Sequence, residues 1–348
     1  MNERHLYRAT ILPVPERTPR PLWSVMIPTY NCANYLRETL TSVLAQDPGP
    51  EVMQIEVVDD HSTKDDPEAV VRELAGDRVS FYRQPENVGY IKNFETCLQR
   101  SRGKLIHLLH GDDLALSGFY SKMQLAFEKN QQIGAAFCRH IFADDNSHWQ
   151  SISRLEQDET GILNNWLEKI IVDHPIQTPS IVVRRDVYEQ VSGFDTRFRG
   201  SCEDWEMWIR IATRYPIWYE VEPLAVYRMR STSLTGNAVS SAENTRDAQR
   251  AIEIVQSYIY QYLPKKTADD FLNKAKRNSA NYAISLARKL YTQGNIDAGQ
   301  AQIREALKFG YFLRVIRQVI DLILWWNLRQ FKKLVKHIFL YIKFIPNH

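Results

Sequence analysis

Ser24-Val25-Met26-Ile27-Pro28-Thr29-Tyr30-Asn31 decides how the first part of this 348-residue chain reads. A short strand-like run meets a proline and gives way to three polar side chains. The same figure returns twice. Ile55-Glu56-Val57-Val58 leads into Asp59-Asp60-His61-Ser62, and Leu105-Ile106-His107-Leu108-Leu109 leads into His110-Gly111-Asp112-Asp113. Helical periods fill the gaps. Residues 34–46 place Leu36, Leu40, Val43 and Leu44 on one face, with Asn34 as a cap. Residues 67–74, capped by Asp65 or Asp66, then 90–99 and 117–129 read the same way, and 79–82 and 133–138 add strands. Strands alternating with helices imply βαβ units and a mostly parallel sheet. Ligands of such sheets bind beyond the carboxyl ends of the strands, where these polar clusters fall.

Past Ala143 the pattern loosens. Residues 161–172 suggest a helix and 180–184 a strand. Residues 203–214 are strongly helical, with Trp205, Trp208, Ile209 and Ala212 spaced to face a core. Strands follow at 217–221 and 225–228. Residues 231–241, rich in Ser, Thr, Gly and Asn, read as a boundary, and from about 242 the chain is all helical. Within it, 281–309 faintly resembles one tetratricopeptide-type hairpin, with Gly294 between its halves; a single hairpin makes no repeat array. The organisation expected is an irregular lead-in at 1–22, an α/β domain at 23–235 and a helical region at 242–348.

A chain of 348 residues exceeds what one core usually supports, so a large domain plus a smaller one is the expectation. The net charge of +3 is too small to imply nucleic-acid binding. Cys32, Cys97, Cys138 and Cys202 are scattered, which argues against a zinc site or a disulfide framework and fits a reducing cytosol. Residues 1–21 lack the apolar stretch of a signal peptide, and no uncharged apolar run is long enough to span a bilayer.

Three acidic clusters carry candidate chemistry. Asp112-Asp113, at a strand end, repel each other unless a cation compensates, and Mg²⁺ or Mn²⁺ takes carboxylate and phosphate oxygens together. Asp59-Asp60 ends a neighbouring strand and suits a nucleobase N–H or ribose hydroxyls. Glu203-Asp204 opens the aromatic helix and suits a general base. Taken singly, each also reads as local structure: a turn or helix cap at Asp112-Asp113, an Asx turn at Asp59-Asp60, an N-cap at Asp204. Asn87-Val88-Gly89 reads as a tight turn or as backbone brought close to a ligand.

The order of these clusters resembles the family 2 glycosyltransferases of GT-A fold. The resemblance rests on Ser24 to Asn31, Val57-Val58-Asp59-Asp60-His61-Ser62-Thr63-Lys64-Asp65, Asn87-Val88-Gly89, His110-Gly111-Asp112-Asp113, Val191-Ser192-Gly193-Phe194-Asp195 and Glu203-Asp204-Trp205. It implies a Rossmann-like GT-A domain with a mostly parallel central sheet, acting as an inverting, metal-dependent glycosyltransferase. By matching position it implies that Asp60 contacts the base beside Pro28 and Tyr30, with Asn87 and Gly89 in the same donor site. Asp112 then contacts the ribose, Asp113 binds Mn²⁺ or Mg²⁺, Asp204 is the base and Glu203 supports it. The donor implied is a nucleotide-sugar, by default a UDP-sugar, and the acceptor a glycan or glycolipid of cell-surface polysaccharide assembly. Two departures stand out: His110 replaces the first acid of the D-x-D-D pattern, and His61 replaces a glycine. A nucleotidyltransferase is the main alternative, but no Gly-rich phosphate loop with a following lysine occurs near the N-terminus. A non-catalytic nucleotide-sugar-binding module is the other.

Residues 311–348 combine Ile, Leu, Phe and Trp with seven basic residues and a lone acid, Asp321. A basic amphipathic helix of this kind lies on an anionic membrane surface or docks on protein, in the same chain or in a homo-oligomer. The expected location is cytoplasmic, peripheral at the inner face of the membrane.

Overall fold

The computed structural model describes residues 6–230, 233–310 and 312–343, with side chains described through residue 332. Along the chain run β1 (Trp23–Thr29), α1 (Ala33–Leu44), β2 (Met53–Asp59), α2 (Pro67–Ala75), β3 (Ser80–Arg83), α3 (Tyr90–Arg100), β4 (Leu105–Leu108), β5 (Leu114–Ala115) and α4 (Phe119–Lys129). Then come β6 (Ala135–Ala143), β7 (Trp149–Ile152), β8 (Gly161–Ile162), α5 (Trp166–Val172), β9 (Ile181–Arg184), α6 (Arg185–Val191), α7 (Glu203–Ala212) and β10 (Ile217–Arg228). The helices α8 (Leu234–Ser241), α9 (Glu243–Ile259), α10 (Lys265–Thr292), α11 (Ile296–Lys308) and α12 (Leu313–Lys343) follow.

The sheet order is β3-β2-β1-β4-β9-β6-β10-β5, with β7 on β6 and β8 on β10. Parallel pairing joins β3, β2, β1 and β4. β9 runs antiparallel to both β4 and β6, which returns β6 and its parallel neighbour β10 to the direction of β1. Every residue of β1 and β2 is buried, as a sheet covered on both faces requires. Alternate residues feed opposite cores. Val25, Ile27 and Val57 pack with α1, α2 and α4, whereas Met26, Val58 and Phe137 pack with α3, α5, α6 and α7. The second core continues without a break through α9, α10, α11 and α12. The lead-in is tied down too: Arg8 pairs with Asp195 at 3.1 Å and with Glu206 at 2.9 Å.

Several local expectations differ. Pro28 does not stop β1, because β4 ends opposite Met26 and makes no demand on a donor at Pro28. Asn34 does not cap α1; Cys32 holds that position, and the Asp65 carboxylate accepts the Ala33 N–H at 2.8 Å. Asp66 caps α2, accepting from Ala69 N. Only 166–172 of the helix expected over 161–172 is helical, since Gly161 and Ile162 pair with β10. The strands expected at 217–221 and 225–228 are one strand, β10, irregular about Pro223. Leu234 to Ser241 is helical (α8) and packs on α9 and α11; positions 231 and 232 lie outside the described residues.

Candidate active site

The ends of β1 and β2 are knitted into a rigid floor. Asn31 takes a left-handed backbone (φ 49°), and its side-chain oxygen accepts Thr63 N and Lys64 N, each at 3.0 Å. Asp59 is occupied by Ser62 N at 3.0 Å and Arg83 Nε at 3.0 Å. His61 tolerates the positive φ (61°) natural to a glycine, with its ring Nδ1 3.1 Å from Gln84 O. Tyr30 is half exposed beside the buried Pro28.

Asp60 is buried, and its two oxygens accept Val88 N at 2.8 Å and Gly89 N at 3.1 Å. Asn87 Nδ2 donates to the Asp60 carbonyl at 3.0 Å. Asn87, Val88 and Gly89 thus wrap the acid. A Cβ on Gly89 would touch nothing, so this glycine answers to its φ of 86°, not to crowding. Burial pushes Asp60 above the usual carboxylate value despite the two N–H groups.

His110, Asp112 and Asp113 follow β4. Gly111 between them is dictated by space: a Cβ would lie 2.6 Å from Thr29 Cγ2. Asp113 is 1% exposed; its Oδ1 accepts Arg228 N at 2.8 Å, while its Oδ2 is buried with no hydrogen-bond partner. His110 Nδ1 lies 3.7 Å from that oxygen, and the imidazole stacks on Phe94 at 5.0 Å. One ligand atom from each of His110, Asp112 and Asp113 falls within 4.8 Å of the others. Burial, then the neighbouring Asp112, holds Asp113 well above the carboxylate range. An orphaned buried carboxylate oxygen beside a second carboxylate and an imidazole fits a divalent cation. The histidine that departs from the acidic pattern therefore stands inside the candidate metal set.

Glu203 and Asp204 open α7. Cys202, in left-handed backbone (φ 68°), takes the N-cap position, so Asp204 is not the cap that its segment also suggested. Asp204 Oδ1 accepts Trp205 N at 2.7 Å, and its Oδ2 lies 3.2 Å from His174 Nε2 and 3.4 Å from Thr178 Oγ1. Tyr90 OH donates to Glu203 at 3.4 Å. Burial and then the Asp204 charge push Glu203 up to about 8. Burial pushes Asp204 upward too, but His174 and the Trp205 N–H outweigh it and leave Asp204 below its ordinary value. At neutral pH the pair therefore divides into a protonated Glu203 and an ionised Asp204, which leaves one carboxylate able to accept a proton.

The loop before these acids is fixed from the helical region. Asp247 on α9 is fully buried and accepts Gly200 N at 2.8 Å, Ser201 N at 3.1 Å and Arg199 N at 3.1 Å.

Contacts join the separate clusters. Asp60 holds Gly89, the next residue Tyr90 reaches Glu203, and His110 feels both Asp112 and Asp204. The acids at 60, 113 and 204 are brought to one end of the sheet. Sequence reasoning missed four side chains here. Arg230 Nε donates to Asp112 at 2.9 Å, and Arg228 Nη2 donates to Glu38 at 2.8 Å. Both guanidinium groups lie over Tyr35, at 4.5 Å for Arg228 and 4.6 Å for Arg230. Two arginines at a strand end, Arg228 closing it and Arg230 just beyond, were the available signal. Nothing local marked His174 or Tyr90.

Comparison with known proteins places this arrangement. The profile of Glycosyl transferase family 2 matches residues 24–192. The uncharacterized protein MT1568 of Mycobacterium tuberculosis is 28% identical over 254 residues, covering 67% of this chain and 75% of its own. The uncharacterized glycosyltransferase RP339 of Rickettsia prowazekii is 23% identical over 309 residues, covering 86% of this chain and 90% of its own. Among solved structures, S. aureus TarS 1–349 in complex with UDP-GlcNAc aligns over 83% of this chain and 93% of its own, with a TM-score of 0.56 and 16% identity. The mannosyltransferase PcManGT from Pyrobaculum calidifontis, in complex with GDP-Man and Mn²⁺, covers 90% of this chain and 82% of its own, with a TM-score of 0.53 and 18% identity. Residues 24–192 thus carry a glycosyl transferase family 2 domain, the domain of a family of sugar-transferring enzymes, and the α/β fold that contains them is of GT-A type.

Proposed function

We propose that this enzyme transfers a sugar, with inversion, from a nucleotide-diphosphate sugar to an acceptor hydroxyl, and that a divalent metal assists. The observation that carries the reading is the unpartnered buried oxygen of Asp113, set among His110 and Asp112 and electrostatically linked through His110 to Asp204. Bound at His110, Asp112 and Asp113, Mn²⁺ or Mg²⁺ would supply positive charge for the departing diphosphate.

The remaining roles belong to side chains. Asp60, on the floor made with Pro28 and Tyr30 and wrapped by Asn87 and Gly89, faces the nucleobase; Asp112 faces the ribose. Ionised Asp204 removes the acceptor proton as that oxygen attacks the anomeric carbon, while Glu203, protonated at neutral pH, donates a hydrogen bond. One displacement from the face opposite the leaving group inverts the centre. The structural neighbours bound to UDP-GlcNAc and to GDP-Man with Mn²⁺ support a nucleotide-sugar donor, and a UDP-sugar is the default implied by the family resemblance. ¹H NMR of turnover with Mn²⁺ tests this: the first product should carry the anomeric configuration opposite to the donor's. A retained configuration, or no cleavage of any nucleotide sugar, would reject it.

The acceptor we propose is a glycan or glycolipid of cell-surface polysaccharide assembly, met at the inner face of the membrane. No helix among the described residues is long and apolar enough to cross a bilayer. Instead α12 is two-sided. Val315, Val319 and Leu322 are buried against the protein, and Trp326 packs on Tyr291 at 5.1 Å. Trp325 stacks beneath Arg288 and Arg329, so the tryptophans do not share the outward face. That face carries Leu313, Ile320, Leu324, Leu328 and Phe331, all exposed, beside exposed Arg314, Arg317 and Lys332. The side chains of Lys333, Lys336 and Lys343 lie outside the described residues. Apolar residues flanked by cations suit an anionic lipid surface. The triple variant Ile320→Glu, Leu324→Glu and Leu328→Glu should bind anionic vesicles at least about tenfold more weakly in flotation; unchanged flotation would discard the membrane role.

A further inference from the structure

We propose that His174 is a positioning residue for sugar transfer: it holds the Asp204 carboxylate in register for the acceptor hydroxyl, and gaining a proton on its ring makes that carboxylate a weaker base. The inference rests on Asp204 as the base.

His174 lies in the segment between α5 and β9, remote in sequence from α7. Its backbone N donates to the Asp173 carboxylate at 2.9 Å, which fixes the segment. Its ring stacks against Trp205 at 6.1 Å and 21°. That packing aims Nε2 at Asp204 Oδ2, 3.2 Å away, while Thr178 Oγ1 reaches the same oxygen at 3.4 Å. With Trp205 N on Oδ1 at 2.7 Å, the carboxylate is held from three directions. A base so held keeps its free lone pairs in one orientation, as proton abstraction needs.

The same contact couples the base to a titrating group. Asp204 faces His174 from α7, and Asp173 adjoins it in the same segment, paired with Arg154 at 2.6 Å. His140 on β6 stands on another side, 2% exposed, pushed down to about 4 by burial and then by His174. Glu203 and His110 act on it through Asp204. Burial disfavours the imidazolium, but Asp204 and then Asp173 more than offset it, so His174 titrates above its ordinary 6.5. Below that point the imidazolium stabilises ionised Asp204 and makes it a poorer proton acceptor. Above it the ring is neutral, and Asp204 regains basicity. Transfer should therefore rise with pH through the His174 titration.

The test is kcat and donor KM from about pH 5.5 to 9.5 at saturating Mn²⁺ for the full chain and three variants. His174→Gln keeps an N–H where Nε2 stood but cannot titrate. It should lose the acidic limb while keeping the alkaline plateau within about threefold. His174→Ala should fall about tenfold in kcat at every pH with donor KM unchanged. Glu203→Gln, whatever its rate, should keep the limb, because Glu203 is the other nearby group titrating near neutrality, at about 8. Persistence of the limb in His174→Gln would overturn the proposal, as would its loss in Glu203→Gln. Thermal unfolding checks that each variant is folded; if His174→Ala is not, the His174→Gln profile decides alone. Normal turnover by Asp204→Asn would be the separate failure of the underlying reading.

Discussion

Replacing Asp204 by asparagine should lower kcat by about 10³-fold and leave donor affinity within about twofold of the wild type. The expectation follows from what the substitution keeps. An amide oxygen in place of Oδ1 still accepts Trp205 N, so the start of α7 needs no rearrangement. The surrounding loop keeps its own anchor in Asp247. What disappears is the negative charge that accepts the acceptor's proton. Glu203 does not replace it, because burial, the larger cause of its raised value, remains when the Asp204 charge is gone and still favours the protonated form. Donor binding is spared because Asp60, Asp112 and Asp113 belong to other strand ends. Kinetics combined with calorimetric titration of the nucleotide sugar separates the two quantities. Near-normal kcat in Asp204→Asn would place the base elsewhere.

The second large effect is expected at Asp113. Asp113→Ala should abolish the dependence of donor binding on Mn²⁺ and lower kcat by about 10²-fold or more. Alanine also strands the Arg228 N–H that Asp113 Oδ1 accepts, a cost of about 1–3 kcal/mol in stability. Asp113→Asn is the cleaner companion, because it retains an acceptor for that N–H and removes only the charge. In the absence of metal the wild-type carboxylate is buried and partly uncompensated, so Asp113→Asn should melt no lower than the wild type. A functional loss without a stability loss marks a group held in place for a ligand. Unchanged Mn²⁺ dependence in both variants would argue for a metal-free enzyme.

How much of this was legible in the sequence depended on range. The strand ends were visible because an apolar run followed by paired acids is a local pattern, and β1, β2 and β4 lie where those runs predict. Their order carried the family. The helix caps and the β8–β10 pairing were less visible, because partners distant in the chain decide them: Asp65 serves Ala33, and Gly161 joins β10. The same limit governs the site. Asp204 could be singled out, but His174 could not, since only the packing of its ring on Trp205 brings it to the carboxylate. Asp247 was hidden for the same reason, with one carboxylate on α9 closing a loop 46 to 48 residues earlier. His110 read as a departure from an acidic pattern until the distance to Asp113 gave it a place.

Manganese binding followed by electron paramagnetic resonance tests the shared metal-and-donor cleft most directly, because free Mn²⁺ gives a six-line signal that collapses on binding. Titrating the wild type and Asp113→Asn with Mn²⁺ in the presence of UDP should quench the signal with the wild type well beyond what UDP alone does, and no further than UDP alone with the variant. Equal quenching by both proteins, or none beyond the nucleotide by either, would contradict it.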